Sequence, residues 1–287
     1  MPRHLQAARG QCKLTGMKIN PVLTLALFAA LGPCAAAMAD QIDPGTLPDL
    51  RAPVVILGEV HDNPAHHANQ ARILALLRPS AIVFEMLSDE RASYATPANR
   101  ESADKLEAAL GWEDAGWPDF DMYYQVFEAA PEATIRGADV PREALMQAMR
   151  DGAAAVFGDD AAQYGLTQPF APEVQAALEA EQMQAHCDAL PLDRMAGMVE
   201  AQRLRDASLA RAVLEALAQT GGPVAVITGS GHARRDFGVP AVLQVAAPEL
   251  SVLSLGQIEA PADPVQPFDY WIVTDPAPRE DPCAVFR

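Results

Sequence analysis

Two carboxylates and three histidines fall inside nine residues: Glu59, His61, Asp62, His66 and His67. Glu and neutral His are the side chains of general acid/base catalysis and of first-row metal binding. Half of the six histidines lie here, which marks the stretch as a candidate site. The same chemistry recurs at Glu85 and His232. Each follows a short apolar run: Val54–Leu57 before Glu59, Ala81–Phe84 before Glu85, and Pro223–Thr228 before Gly229-Ser230-Gly231-His232. If those runs are parallel strands, the four groups share one rim, where open α/β sheets build their sites. Glu59, His61, Glu85 and His232 are then the candidate catalytic acid/base set. His61, Glu85 and His232 are the candidate ligands of a divalent metal ion.

Further polar groups point the same way. Met195, Val199, Gln202, Asp206, Leu209, Val213 and Leu217 fall on one helical face, and Gln202 and Asp206 interrupt an otherwise apolar stripe. Buried polar groups need partners, which a site wall supplies; the alternative is a helix turned so that both sit at its edge. His66 and His67 open a helix whose positive N-terminal end favours neutral imidazole, the ligating form. Of the two, His67 is preferred as a ligand. Arg234 is a candidate anion contact, or a solvated side chain. Gly229–His232 lacks dinucleotide, P-loop and nucleophile-elbow spacing, so its glycines are read as giving His232 close approach. Tyr123 and Tyr124 cluster with Trp117, Phe120 and Phe127 in a chain with only 6% aromatic residues. That cluster is either core packing or a flat ligand surface with a phenolate for iron, the ligation catalase uses.

The elements that must position these groups read as α/β. Val54–Leu57 forms a strand closed by Gly58, and Asn63 with Pro64 caps a helix to about Leu77. Ala81–Phe84 is the next strand, parallel to the first because a helix connects them. Residues 90–130 read as mostly helical, with breaks near Gly111 and Gly116–Pro118. Ala133–Gly137 is a weaker strand, and Pro141 opens a helix to about Met149. Residues 151–170 have no assignment. Residues 172–217 are helical with a break near Leu190–Pro191. Pro223–Thr228, Val242–Val245, Ser251–Leu255 and Tyr270–Val273 complete the strands. The expected architecture is a mixed, mainly parallel central sheet flanked by helices, with a helical insertion at about 90–220 between N-terminal and C-terminal strands. No repeat period of 20–50 residues is present.

The chain has 287 residues and a net charge of −17, which excludes the basic face of a nucleic-acid binder and disfavours anionic membrane surfaces. Residues 1–39 read as a signal peptide: Lys18, an apolar run Pro21–Leu31 too short to span a bilayer, then Ala37-Met38-Ala39 before Asp40. Met17 is an alternative start. Cleavage removes Arg3, Arg9, Lys13 and Lys18 and no acid, taking the charge from −17 to −21. A periplasmic or otherwise exported location follows, with residues 40–287 as one domain. Pro33 makes lipoprotein anchoring at Cys34 a poor fit. Cys187 and Cys283 remain after cleavage, as a disulfide in an oxidising compartment or as two free thiols.

Gly58-Glu59-Val60-His61-Asp62-Asn63, Phe84-Glu85-Met86 and Gly229-Ser230-Gly231-His232 with Gly238-Val239-Pro240 resemble the motifs of the ChaN-like family. That family belongs to the group containing Tiki proteases, TraB proteins and erythromycin esterases. Trp117-Pro118 with Tyr123, Gly137–Arg142, and Glu200-Ala201-Gln202 with Asp206 are similar to its internal motifs, over roughly residues 50–275. The resemblance implies an exported α/β protein of haem or iron uptake. Its cofactor would be haem, held by Tyr123, His61, His67, His232 and Arg234. Its partners would be haem or another small ligand, a second copy of the chain and an outer-membrane haem-uptake receptor. The wider group also implies a hydrolase of ester or amide bonds. Haem binding is the first reading, hydrolysis the second, and an envelope scaffold the third.

Overall fold

The computed structural model describes residues 39–281 and 283–284. The expected export segment and Cys34 lie outside the described residues. The elements run β1 (Asp40–Gln41), β2 (Val54–Glu59), α1 (Pro64–Leu77), β3 (Ala81–Phe84), α2 (Asp89–Ala92), α3 (Ala103–Leu110), α4 (Trp112–Ala115), α5 (Phe120–Glu128) and β4 (Thr134–Gly137). They continue with α6 (Arg142–Asp151), α7 (Ala153–Phe157), α8 (Pro172–Ala185), α9 (Met195–Thr220), β5 (Val224–Gly229), α10 (Val239–Ala246), β6 (Val252–Glu259) and β7 (Tyr270–Thr274).

The seven strands form one sheet in the order β1-β7-β6-β2-β5-β3-β4. Every strand pair among the described residues is parallel. The expected α/β architecture is present, with its mainly parallel sheet in fact wholly parallel. Parallel strands are buried on both faces, and β2, β3 and β5 are buried along their whole length. Alternate residues feed two cores. Val55, Leu57, Ile82, Phe84, Ala225 and Ile227 pack with α1, α3 and α5. Val54, Ile56, Val83, Val224 and Val226 pack with α7, α9 and α10 on the opposite face.

One expected strand is corrected. Val242–Val245 lies in α10, which starts after Gly238 with Pro240 in its first turn. A four-residue apolar run does not distinguish strand from helix. The parallel step from β5 to β6 requires a crossover, and this helix supplies it. The two-residue β1 pairs with β7 at one end of the sheet.

The decisive feature for the site is strand order. β2 and β3 are consecutive in sequence, yet β5 lies between them and pairs with both. The chain passes from β2 to β3 in one direction and returns from β5 to β6 past β2. That reversal leaves a crevice at the carboxyl ends, where β2 delivers Glu59, β3 delivers Glu85 and β5 delivers Gly229–His232.

Candidate functional site: a buried carboxylate–imidazole chain

The strand ends meet as expected. Glu59 is 2% exposed and receives three donors. Its Oε1 takes the Tyr123 hydroxyl at 2.7 Å and lies 2.8 Å from His61 Nδ1. Its Oε2 takes the Gln70 amide at 2.7 Å. Glu85 is equally well held. Thr228 Oγ1 and the Gly229 N–H donate to its Oε2 at 2.7 and 2.8 Å, and its Oε1 is 3.4 Å from His232 Nε2. The other nitrogen of His232, Nδ1, meets Asp206 Oδ1 at 2.7 Å, while the Gln202 amide nitrogen lies 3.1 and 3.2 Å from the two ring nitrogens. His61 Nε2 closes the series, 4.0 Å from Glu85 Oε2. A continuous chain thus runs Asp206, His232, Glu85, His61, Glu59, Tyr123.

Burial and charge set the protonation states. Burial opposes a charge on His232, but Glu85 on one side and Asp206 on the other outweigh it and raise the imidazole to about 10. Burial likewise opposes the charge on Glu85, yet His232, His61 and the Thr228 bond hold its carboxyl below the usual range. Asp206 is pushed up by burial, which His232 only partly offsets. For His61, burial pushes down, while the Glu59 hydrogen bond and the charges of Glu85 and Glu59 raise it overall. His61 is also the ring that reaches the surface: 31% of its side chain is exposed, and it packs against Trp117 with ring centroids 5.0 Å apart. Gly229 makes room for it, since a Cβ there would stand 3.0 Å from His61 Nε2.

The neighbouring histidines have structural partners. His66 Nδ1 accepts the Val60 N–H at 2.8 Å, so its Nε2–H points at Thr274 Oγ1, also at 2.8 Å. Burial lowers it to about 4, which keeps it neutral. His67 donates from Nε2 to the His61 carbonyl at 2.9 Å and packs against Tyr123, with ring centroids 4.2 Å apart and planes tilted by 50°. It has no exposed surface, so it supports the His61 loop from beneath. The loop is also held from above. Arg279 pairs with Asp62 and Glu259, and Glu259 accepts from the Asn63 side chain at 2.7 Å.

Tyr123 lies away from the surface. It is fully buried, and burial together with the Glu59 charge raises it far above an ordinary phenol. It stays protonated and donates to Glu59, so it offers no phenolate here. Arg234 is committed to Glu181 and Asp236 and covers the Phe237 ring. Gln202 and Asp206 do face the site, as the interrupted stripe on α9 suggested. Among the described residues no group of three or more His, Cys, Asp or Glu is arranged to hold a metal ion. The expected ligands His61, Glu85 and His232 do meet at the strand ends, with Glu85 Oε2 taken by Thr228 and Gly229 and His232 lying between Glu85 and Asp206.

An imidazole that reaches the surface from a buried carboxylate partner is suited to hold an iron centre, and His61 is such a ring. A histidine ligand is oriented by a second-shell acceptor at its other nitrogen. Glu59 plays that part at Nδ1, leaving Nε2 on an exposed ring beside an aromatic side chain.

Sequence reasoning missed Gln70, Thr228 and Thr274. Gln70 lies four residues after His66 on the same helix, and that spacing is its only sequence signal. Thr228 reads as an ordinary β-branched strand residue.

A family model described as haem-binding uptake, Tiki superfamily, ChaN matches residues 50–243. Among solved structures, ChaN of Campylobacter jejuni, described as binding haem cofacially, is 20% identical with a TM-score of 0.58. The alignment covers 76% of this chain and 86% of that one. A more distant likeness is to erythromycin esterase EreC in its open conformation, with 11% identity, TM-score 0.39, and 75% and 76% of the two chains covered. No curated protein matches the chain. The matched span carries Glu59, His61, Glu85, Tyr123, Asp206 and His232 around the carboxyl ends of β2, β3 and β5, and the chain belongs to the ChaN family of haem-binding uptake proteins in the Tiki superfamily.

Proposed function

We propose that this protein is an exported, periplasmic haem-binding protein of haem or iron uptake, and that His61 Nε2 is the nitrogen offered to the iron. The observation that carries this reading is the Glu59–His61 pair. The 2.8 Å contact at Nδ1 fixes the orientation of a ring that is 31% exposed and packs against Trp117. Bound haem supplies an iron centre with coordination positions for imidazole and a flat apolar ring. Trp117 offers that ring an aromatic edge. Glu59 orients His61 and is itself held by Tyr123 and Gln70. Delivery to a receptor and pairing with a second copy of the chain belong to the same proposal.

The test is a haem titration followed at the Soret band. The intact protein is expected to saturate at defined stoichiometry. His61→Ala should weaken binding by tenfold or more and shift the band. Tyr123→Phe should have the smaller effect, because it removes a support of Glu59 and no ligand. A larger loss in Tyr123→Phe than in His61→Ala would overturn the assignment of the ligand. A titration without saturation in the intact protein would overturn haem binding itself.

The buried Asp206–His232–Glu85 series exceeds what one imidazole ligand would need and favours a second reading, hydrolysis of an ester or amide. In that reading His61, beside Glu85, takes a proton from water, and protonated His232 holds Glu85 ionised. Turnover of a generic ester, lost in His61→Ala and in Glu85→Gln, would support it. Equal rates in the intact protein and both variants would remove it.

A further inference from the structure

After β7 the C-terminal segment crosses the turn that carries His61. The Asp275 carbonyl accepts from the Asn63 side chain at 3.0 Å, and the Ala277 N–H donates to Glu259 Oε1 at 2.9 Å. Arg279 then grips two carboxylates at once. Its Nε and Nη2 donate to Asp62 at 2.7 and 2.8 Å, and its Nη1 and Nη2 donate to Glu259 at 2.6 Å each. Asp62 directly follows His61, so this arginine holds the turn on which the His61 ring stands. Beyond it, Cys283 is bonded to Cys187, just past the end of α8.

Nothing apolar seats this strap. Six of residues 275–281 are exposed and Ala277 is half-buried. In the Arg279–Asp62 pair the side chains are 30% and 41% exposed, and pairs so open to water hold little by themselves. A chain end without buried side chains frays unless it is tied down. The tie is the disulfide. Its anchor is unusual: Cys187 and Asp188 have φ of 58° and 54°, two of the three non-glycine residues at positive φ among the described residues. The first left-handed position after a helix is usually glycine. Here it carries a side chain, and that side chain is the bridge. Both cysteines are half-buried rather than enclosed, so a dithiol can reach the sulfurs.

We propose that Cys187–Cys283 is a redox switch for the His61 turn, in which the bridge holds the strap and its Arg279 across Asp62 and reduction by a dithiol lets the strap go. A thiolate of the dithiol attacks one sulfur of the bridge and the S–S bond breaks. The second thiol then closes the reductant's own disulfide, and two electrons and two protons pass to Cys187 and Cys283. Asp62 and Glu259 lose their shared cation, and the turn keeps only its own hydrogen bonds. The consequence for ligand binding rests on the reading of His61 as the ring offered to a ligand; the switch itself does not.

The test compares the full-length, haem-free protein in three forms by amide exchange and ¹H–¹⁵N NMR: oxidised, reduced with dithiothreitol, and as the double variant Cys187→Ser with Cys283→Ser. On reduction, amide exchange in residues 275–281 should rise about tenfold or more, as in a released chain end, with a smaller rise at Asp62 and Asn63. The Arg279 side-chain Nε–H signal should be lost and the His61 ring signals should move, while Ile56 and Val226 stay protected. The double variant should match the reduced protein. Arg279→Gln, with the bridge intact, should reproduce the changes at Asp62, Asn63 and the His61 ring. Strap exchange and an Arg279 signal unchanged on reduction would overturn the proposal. So would a strap that opens with no response at Asp62 and His61, or a rise that includes Ile56 and Val226, which reports loss of the whole fold. No haem is present in any arm, so these outcomes and those of the haem titration are read separately.

Discussion

At the scale of single residues, two histidines of the same intrinsic basicity are driven in opposite directions by what surrounds them. His66 is enclosed by apolar packing and a backbone N–H, and burial lowers it from 6.5 to about 4. His232 is enclosed by two carboxylates, which raise it to about 10 despite burial. Imidazole ¹⁵N spectra should therefore show His232 still protonated at pH 8.5 and His66 still neutral at pH 5. Between pH 6.5 and 4 the unfolded chain takes a proton at His66 that the folded chain refuses, so this contribution is complete above 6.5 and is lost as the pH falls towards 4. It amounts to at most about 3 kcal/mol. Urea denaturation between pH 4 and 7 should show the acid loss, with a flatter profile in His66→Gln. His232 has the opposite sign. Its contribution is complete below 6.5 and is lost as the pH rises through about 10. The sequence singled out both residues but not the difference, because the burial of His66 and the Asp206 carboxylate beside His232 are set by tertiary packing.

At the scale of elements, the site depends on helices seated at exact distances from the sheet edge. α9 carries Gln202 and Asp206, and it reaches its position by crossing α6 at Gly197. A Cβ at that glycine would lie 2.6 Å from the Met149 carbonyl oxygen, which is backbone and yields only if the helix moves. Gly197→Ala should cost about 1–3 kcal/mol, the usual range for overpacking, although alanine is the better helix former. The check is the denaturation midpoint, together with the His232 ¹⁵N signal, which should move as Asp206 is displaced. Gly229→Ala should behave differently. The obstructed atom there is His61 Nε2, the tip of a side chain, so the fold should tolerate the change while haem affinity falls. Helix starts at Pro64 and Pro172 and the break near Pro191 were legible from capping chemistry. The strand reading of Val242–Val245 was not correct, because four apolar residues carry no period that separates the alternatives.

At the scale of the whole molecule, Cys187 and Cys283 are bridged, with Cα atoms 5.6 Å apart and a sequence separation of 96. The bridge joins the end of α8 to the C-terminal segment whose Arg279 clamps Asp62 beside His61. Closing a loop of that length restricts the unfolded chain and is worth about 2–4 kcal/mol. Reduction, or the double change Cys187→Ser with Cys283→Ser, should lower the denaturation midpoint by a corresponding amount. Intact mass before and after thiol labelling checks that the bridge has formed. The net charge of −17 disfavours nucleic acid as a partner, since a binder of phosphate backbones needs a basic face.

The sequence by itself determined the residue types of the site, the strands that end in them and the α/β class, because strand and helix periodicities and proline caps are local properties. Even the pairing of distant groups was legible to the extent that Glu59, Glu85 and His232 each close an apolar run. Only the tertiary structure decided that β5 inserts between β2 and β3, and so that His232 reaches Glu85 while His61 remains at the surface. It alone decided that Tyr123 and His67 turn inward, since burial and hydrogen-bond partners depend on which strands and helices become neighbours. Strand order is settled by the packing of two cores on opposite faces of one sheet, and no local stretch of sequence contains that information.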